Sequence, residues 1–263
     1  MSKDYQIMGV LNANDDSFYK QSRFTPTNAI SKIETMIQEG ADIIDIGAVS
    51  SRPGSVGVSD EEELQRLKPI LDAIYDENLY EKVVFSLDSY SVPSSTYALE
   101  RGFSIINDIT GLANDELCAL IGRYKAKAVV MHMLGTPQSM QDKPSYENLV
   151  VEVENFFKER ISKAESFGIK EIVLDVGIGF GKTLDDNLEL IKNMGHFKGL
   201  GKELLIGASR KSMIDLISPS ASQERLAGTL AIHLKAFDKG ASIIRCHDVK
   251  EHVQAFKVHC ALI

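Results

Sequence analysis

The sequence predicts an α/β fold, a (β/α)8 TIM barrel forming a single domain over residues 1–263. Three observations carry that expectation. Helical patterns end repeatedly in Gly or a basic residue and pass into a short β-branched run, eight such runs occur, and about 250 residues is the usual length of eight βα units. Five junctions show the repeat: Glu39-Gly40-Ala41-Asp42, Arg101-Gly102-Phe103-Ser104, Tyr124-Lys125-Ala126-Lys127, Phe167-Gly168-Ile169-Lys170 and Lys239-Gly240-Ala241-Ser242. Glycine just past a helix takes the left-handed conformation that ends it, and the apolar run then enters as a buried strand. An open doubly wound sheet more often stops at about five or six strands.

The expected strands are Ile7–Ala13, Ala41–Val49, Val83–Tyr90, Ser104–Thr110, Ala128–Leu134, Glu171–Gly177, Glu203–Ser209 and Ser242–Val249. Runs such as Asp42-Ile43-Ile44-Asp45-Ile46 and Ala128-Val129-Val130-Met131 are nearly continuous in apolar character, as parallel strands covered on both faces require. Helices fill the intervals. Ala29, Ile30, Ile33, Met36 and Ile37 recur at helical spacing, Ser59 with Glu62 forms a capping-box signature, and Leu226, Leu230, Leu234 and Phe237 mark a late helix. The sequence has no linker or low-complexity tract. Its longest irregular stretches, 14–24, 50–57 and 135–146, each follow a strand, on the side where a barrel keeps its chemistry.

Subtracting 37 acidic from 29 basic residues leaves a net charge of -8, the wrong sign for coating nucleic acid. A few convergent Arg and Lys can still make one positive pocket for a small anion. Cys118, Cys246 and Cys260 are odd in number and far apart, so they read as reduced, mostly buried thiols. With no apolar run near the ~20 residues of a membrane span and a polar start, MSKDYQ, unlike a signal peptide, a cytoplasmic location and no membrane partner are expected.

Polar residues fall at the C-terminal ends of otherwise apolar strands: Asn12, Asp45, Asp88, Asn107 with Asp108, His132, Asp175, Ser209-Arg210-Lys211, and Arg245 with His247. In a barrel these ends face one mouth. Any single member, Asp45 or Asp108 for example, is equally explained by holding a loop. The whole set points to function, because ionisable groups near a core are costly unless paired or in use.

Two chemical subsets separate. Arg52, Arg245, His247 and Asn12 suit a phosphate or diphosphate, arginine supplying a planar fork. Asp88, Asn107, Asp175 and Lys211 are complementary to the edge of a heterocycle such as a pterin or purine. The Gly177-Ile178-Gly179-Phe180-Gly181-Lys182 turn lacks the full dinucleotide spacing, and close approach of backbone to a flat ligand beside Phe180 explains its glycines better. His132, alone at the end of an apolar run, reads as a satisfied core residue. There is no serine–histidine–aspartate order and no zinc-ligand spacing. His196, His233, His252 and His259 fall on helices or their ends, as surface or interface positions.

These residues lie in motifs that resemble one family, the dihydropteroate synthases of the folate pathway. The resemblance covers Met8-Gly9-Val10-Leu11-Asn12 with Asp16-Ser17-Phe18, Gly40-Ala41-Asp42-Ile43-Ile44-Asp45-Ile46-Gly47, Ser50-Ser51-Arg52-Pro53-Gly54, Asp88-Ser89-Tyr90 and Ile106-Asn107-Asp108. It continues through Met131-His132-Met133, Asp175-Val176-Gly177-Ile178-Gly179-Phe180, Ser209-Arg210-Lys211-Ser212 and Arg245-Cys246-His247-Asp248.

The resemblance implies a transferase that joins 6-hydroxymethyl-7,8-dihydropterin diphosphate to p-aminobenzoate, with Mg2+ as cofactor and a homodimer as assembly. It implies Asp88, Asn107, Met131, Asp175, Phe180 and Lys211 for the pterin, and Asn12, Ser51, Arg52, Arg245 and His247 for the diphosphate, Asn12 also holding the metal. Arg52, Pro53, Lys211 and Ser212 are implied for p-aminobenzoate, and Asp88, Lys211, Arg245 and His247 for catalysis.

The sequence departs from the family pattern where Asn14-Asp15 replace a Thr-Pro, Gln21-Ser22 a Gly-Gly, Ala48-Val49 a Gly-Glu, Ser51 a Thr and Val176 a Pro. Losing two glycines narrows the first loop's conformations. Two other readings share the pterin pocket: a non-catalytic paralogue that binds pterin or phosphate, and a pterin-dependent methyltransferase barrel.

Overall fold

The computed structural model describes residues 4–13, 26–49, 57–140 and 142–262. Eight parallel strands close into a barrel in chain order. They are β1 (Gln6–Asn12), β2 (Ile43–Gly47), β3 (Val84–Asp88), β4 (Ile105–Asp108), β5 (Lys127–Met131), β6 (Ile172–Asp175), β7 (Glu203–Ile206) and β8 (Ile243–Cys246). The helices among the described residues are α1 (Pro26–Glu39), α2 (Asp60–Asp76), α3 (Val92–Leu99), α4 (Asp115–Tyr124), α5 (Leu149–Ser166), α6 (Leu184–Lys192), α7 (Ser212–Ile217), α8 (Leu226–Asp238) and α9 (Val249–Leu262).

All eight expected strands form, and each ends before its expected last residue, β5 at Met131 rather than Leu134 and β8 at Cys246 rather than Val249. The ladder stops where the chain leaves the sheet for the mouth, so the polar residues at these ends line a rim. The five junctions all turn through the left-handed region, at Gly40 (φ 96°), Gly102 (84°), Lys125 (54°), Gly168 (79°) and Gly240 (105°). Ser59 caps α2 by accepting from the Glu62 amide (3.2 Å), while the Glu62 carboxylate takes Arg66 Nη2 (2.6 Å).

Because side chains alternate across a strand, residues two apart share a face. Inside the barrel, Met8, Ile43, Ile105, Val129, Val173, Leu205 and Ile243 form one apolar plug. Two residues further along the same face come Val10, Asp45, Asn107, Met131, Asp175, Gly207 and Arg245, with Ser86 and Asp88 on the matching face of β3. Two residues back from the plug come Lys127, Glu171 and Glu203. One pleat in either direction therefore converts a hydrocarbon core into a charged layer.

The late helix forms as α8, with Thr229, His233 and Ala236 buried and Leu226, Leu230 and Leu234 half-buried. One expectation is corrected. His233 and His252, expected at the surface or an interface, are fully buried. The physical reason is that α8 lies behind the β7 loop, whose backbone amides at Ala208 and Arg210 need acceptors; His233 and Thr229 supply them, and His252 of α9 pairs with His233. Cys118 and Cys246 are buried free thiols and Cys260 is exposed. Among the described residues, no helix is long and apolar enough to cross a membrane.

Candidate functional site

The floor of the mouth is an ion triad. Arg245 donates from Nε to Asp45 Oδ2 and from Nη2 to Asp88 Oδ2, both at 2.6 Å, and Asn107 Nδ2 donates to the same Asp45 oxygen at 3.1 Å. Strands β8, β2, β3 and β4 are thereby joined across the barrel. The Asp45 side chain is wholly shielded from water, and among the described residues its Oδ1 has no hydrogen-bond partner.

Burial is the main reason that the Asp88 carboxyl is pushed up to about 7; Arg245 pulls it back, and the like charges of Asp45 and Glu63 raise it further. Burial itself pushes Glu63, at the start of α2, up to about 6. For Arg245 burial opposes the charge, but Asp45 and Asp88 outweigh it, so the guanidinium stays charged.

Asp175 stands on the adjoining wall. Its Oδ1 accepts the Gly177 amide at 2.8 Å. A Cβ on Gly207 would lie 3.9 Å from both Asp175 Oδ2 and Arg245 Cδ, so glycine there leaves the two side chains facing one space. Lys211 Nζ sits over the Phe180 ring, 4.0 Å from its centre, in cation–π contact, beside Gly179. Burial lowers the Lys211 ammonium to about 8, with Asp175 opposing the fall. Burial also raises Asp175, against its Gly177 hydrogen bond and the Lys211 charge. Met131 and Phe180 pack with Ile109 and Met140 as an apolar flank.

Asp88, Asn107, Met131, Asp175, Phe180, Lys211 and Arg245 thus meet at one mouth, as expected. Asn12 ends β1 opposite Gly47, half-buried, and Gly47 in turn abuts Asp88: a Cβ there would lie 3.2 Å from Asp88 Cβ. His247 and Ser212 are exposed on the rim, and Ser209 Oγ is 2.9 Å from His247 Nδ1. Ser51, Arg52 and Pro53 lie outside the described residues, as do the first loop's altered positions.

The glycine turn after β6 corrects an expectation. A Cβ on Gly177 would come within 2.0 Å of the His132 carbonyl oxygen, and one on Gly181 within 2.5 Å of that of Leu134. Only Gly179 borders the Lys211 side; the flanking glycines let the turn pack backbone to backbone against the end of β5.

Lys182 pins this contact. Its buried Nζ reaches His132 Nδ1 (3.0 Å), the His132 carbonyl (3.1 Å) and the Phe180 carbonyl (2.9 Å). Three protons of an ammonium match three acceptors, yet burial lowers this group to about 7. Burial, and then Lys182, hold His132 down at about 3, so the ring is a neutral acceptor, the satisfied core residue expected. Asp108 is also structural: Oδ1 accepts the Thr110 amide and Oδ2 the Leu112 amide, closing its own loop.

Asp45 and Lys182 are therefore site residues that sequence reasoning left unassigned. For Asp45 part of the signal was available: side chains alternate along the strand, so it shares the face of Ile43, a residue of the interior plug, and not that of Ile44 and Ile46.

Barrel, charged floor and apolar flank are the features of a TIM-barrel protein whose ionisable groups gather at the C-terminal mouth. The family model described as pterin binding enzyme matches residues 8–247. A Helicobacter pylori bifunctional dihydropteroate synthase/dihydropteroate reductase is 44% identical, over 98% of this chain and 68% of that protein. Dihydropteroate synthase of Synechocystis is 39% identical, over 97% and 89%. The crystal structure of the Thermus thermophilus dihydropteroate synthase in complex with 4-aminobenzoate superposes with a TM-score of 0.88 at 37% identity, covering 98% of this chain and 95% of that one. The chain belongs to the pterin-binding enzymes, and within them to the dihydropteroate synthase family.

Proposed function

We propose that this chain is a transferase condensing 6-hydroxymethyl-7,8-dihydropterin diphosphate with p-aminobenzoate to give 7,8-dihydropteroate and diphosphate. The observation that carries the reading is the floor in which Arg245 spans Asp45 and Asp88 while Asp175 and Lys211 share the adjoining wall. A pterin edge offers paired N–H donors next to acceptors. Asp175 and Asn107 meet that edge, Lys211 meets a ring oxygen or nitrogen, and Met131 and Phe180 cover the faces.

As the C–O bond to diphosphate breaks, positive charge grows on the pterin methylene and negative charge on the leaving group. Ionised Asp88 stabilises the first, and Arg245 with Arg52, Ser51 and His247 stabilises the second. The p-aminobenzoate nitrogen, oriented by Arg52, Pro53, Lys211 and Ser212, then forms the C–N bond and releases a proton. No protein nucleophile is required.

Asn12 offers one hard amide oxygen beside the Asp88 level of the mouth. That suits Mg2+, which takes one or two protein oxygens and completes its shell with substrate phosphates and water. Among the described residues no three His, Cys, Asp or Glu side chains form a cation cage, consistent with a metal that arrives with the diphosphate. When bound, Mg2+ neutralises charge on the departing diphosphate.

A cytoplasmic homodimer fits the rest of the chain: its cysteines are free, and Leu216 (66% exposed), Val258 (56%) and Leu262 (79%) leave apolar side chains in water on α7 and α9. Sedimentation at micromolar concentration tests the dimer. For the reaction, purified chain, Mg2+, the pterin diphosphate and p-aminobenzoate should release diphosphate and form dihydropteroate together. Pterin binding without diphosphate release would identify a non-catalytic binder; methyl transfer from a methyl-folate would identify the methyltransferase.

A further inference from the structure

The β7 loop, 207–211, delivers Lys211 to the site, yet it is not at rest by itself. Arg210 sits in the left-handed region (φ 59°), a conformation that a residue with a Cβ keeps only where its surroundings hold it. It is held from two sides. The Arg210 amide donates to Thr229 Oγ1 of α8 (3.0 Å), and its guanidinium pairs with the Asp248 carboxylate just after β8.

A third tie passes through two buried histidines. The Ala208 amide donates to His233 Nε2 (3.0 Å), His233 Nδ1 lies 2.9 Å from His252 Nε2, and His252 Nδ1 lies 2.6 Å from the Asp248 carbonyl oxygen. The two ends of this chain fix every proton in it. A backbone N–H only donates, so His233 Nε2 is bare and His233 Nδ1 carries the proton. His252 Nε2 therefore accepts, its Nδ1 carries the proton, and the Asp248 carbonyl only accepts. Both rings are neutral Nδ1–H tautomers, and neither can gain a proton without setting two N–H groups against each other.

We infer that His233 and His252 are positioning residues, a directed hydrogen-bond chain that fixes the β7 loop bearing Lys211 against the β8 end bearing Arg245 and His247. The inference rests on the reading of this mouth as the active site. Neither histidine touches substrate in that reading. Their effect is on the spacing of groups drawn from two neighbouring strands, which a displacement of about 1 Å disturbs enough to cost a large part of the rate. Burial holds both rings below their usual range, His233 well below it; His252 and His247 act further against charge on His233, while the Asp248 carbonyl and the carboxylates of Asp248 and Glu251 act for it on His252.

The full-length protein tests this without substrate first. With 15N-labelled histidine, long-range 1H–15N spectra at neutral pH should show two neutral Nδ1–H tautomers. A protonated ring at that pH, or an Nε2–H tautomer at either position, overturns the chain. Then His233→Leu and His252→Leu are assayed at a temperature where circular dichroism shows them folded. Each should lower kcat/KM about tenfold, mostly through kcat. His233→Gln, whose carboxamide offers an oxygen to Ala208 and an N–H to His252, should recover most of the loss.

Leucine variants that melt earlier but keep wild-type kcat/KM would reduce the pair to a structural role and defeat the inference. Failure of the glutamine rescue would do the same, and that variant serves where a leucine variant does not fold. An inactive wild-type protein with the expected tautomers would instead count against the proposed reaction.

Discussion

The two ends of the barrel interior carry the same kinds of side chain and use them differently. At the N-terminal end, one pleat below the apolar plug, Lys127 pairs with Glu203 (2.7 Å) and Glu171 (3.5 Å). At the C-terminal end, one pleat above it, Arg245 pairs with Asp45 and Asp88 at 2.6 Å each. Below, the side chains of Glu171 and Glu203 are 67% and 44% exposed; above, those of Asp45 and Asp88 are 0% and 17% exposed. Water screens the first trio and leaves it worth little. The second works in a weakly screened setting, where an unmatched charge is expensive and a matched one is fixed in place. Ion pairing alone does not distinguish an active mouth from a closed end; what distinguishes it is how far the pairing is removed from water while a face stays open to ligand.

The largest effect that this contrast implies is at Arg245. Arg245→Ala strands two carboxylates on the floor, and breaking a buried pair in this way costs about 3–5 kcal/mol. Thermal unfolding should record that loss. In the fraction that folds, kcat/KM should fall by about 10²–10³, the scale of a removed electrostatic donor, with binding of the diphosphate substrate harmed far more than that of free pterin. Equal losses for the two ligands would move Arg245 out of the diphosphate set.

Titration of the same floor comes next. In the proposed reaction Asp88 acts ionised and Lys211 charged, so kcat/KM should rise with pH through about 7 and fall beyond about 8. Both limbs report a coupled cluster rather than single residues. Asp45→Asn removes a like charge beside Asp88, which lowers the Asp88 pKa, so the acid limb should shift to lower pH. A limb that stayed put, or moved up, would show that Asp45 does not act on Asp88.

A smaller effect is expected where the floor gives way to backbone. Lys182→Met leaves the acceptors at His132 and Phe180 without their shared donor, at about 1–3 kcal/mol in stability. The turn that presents Phe180 should loosen, raising KM for the pterin substrate several-fold while KM for p-aminobenzoate changes little. Lys182→Arg keeps a charged donor and should fall between the two. If methionine left both KM values unchanged, the turn would be held by Asn187, which accepts the Gly179 amide, and by Tyr146, which donates to the Gly181 carbonyl.

These contrasts also show what could be read in advance. The barrel was legible because its unit repeats: the residues that close each helix, Gly40, Gly102, Lys125, Gly168 and Gly240, all take the left-handed turn for which their spacing calls. The convergence of Asp88, Asn107, Asp175, Lys211 and Arg245 was legible because strand ends in a closed parallel barrel share one mouth. What escaped depends on partners far apart in the chain. His233 reads as one polar residue on an apolar helix until Ala208 is known to lie behind it, and Lys182 reads as the tail of a glycine turn until the His132 carbonyl is at hand. Asp45 was placed at the mouth but not paired: its period-two neighbours Ile43 and Gly47 show which face it shares, and only the closed barrel puts Arg245, two hundred residues later, on that face.

The smallest expected effect sharpens the comparison most, because it asks whether the lower trio is as dispensable as its exposure implies. Lys127→Met removes the cation from Glu171 and Glu203, both of which already face water, so neither is left as a buried unpaired charge. Exposed pairs are worth about 0–1 kcal/mol, and the methionine stem replaces most of the hydrocarbon of the Lys127 side chain, which is only 19% exposed. Stability should therefore change by no more than about 1 kcal/mol, falling less in high salt than in low, and kcat/KM should match wild type at every pH, since the apolar plug separates this end from Asp45. A loss of several kcal/mol would mean that the lower trio bears load much as the upper one does, and that exposure is the wrong measure of the difference. A change in the pH profile would mean that charge at the closed end is felt through the plug by Asp88, and the two layers would have to be treated as one electrostatic unit.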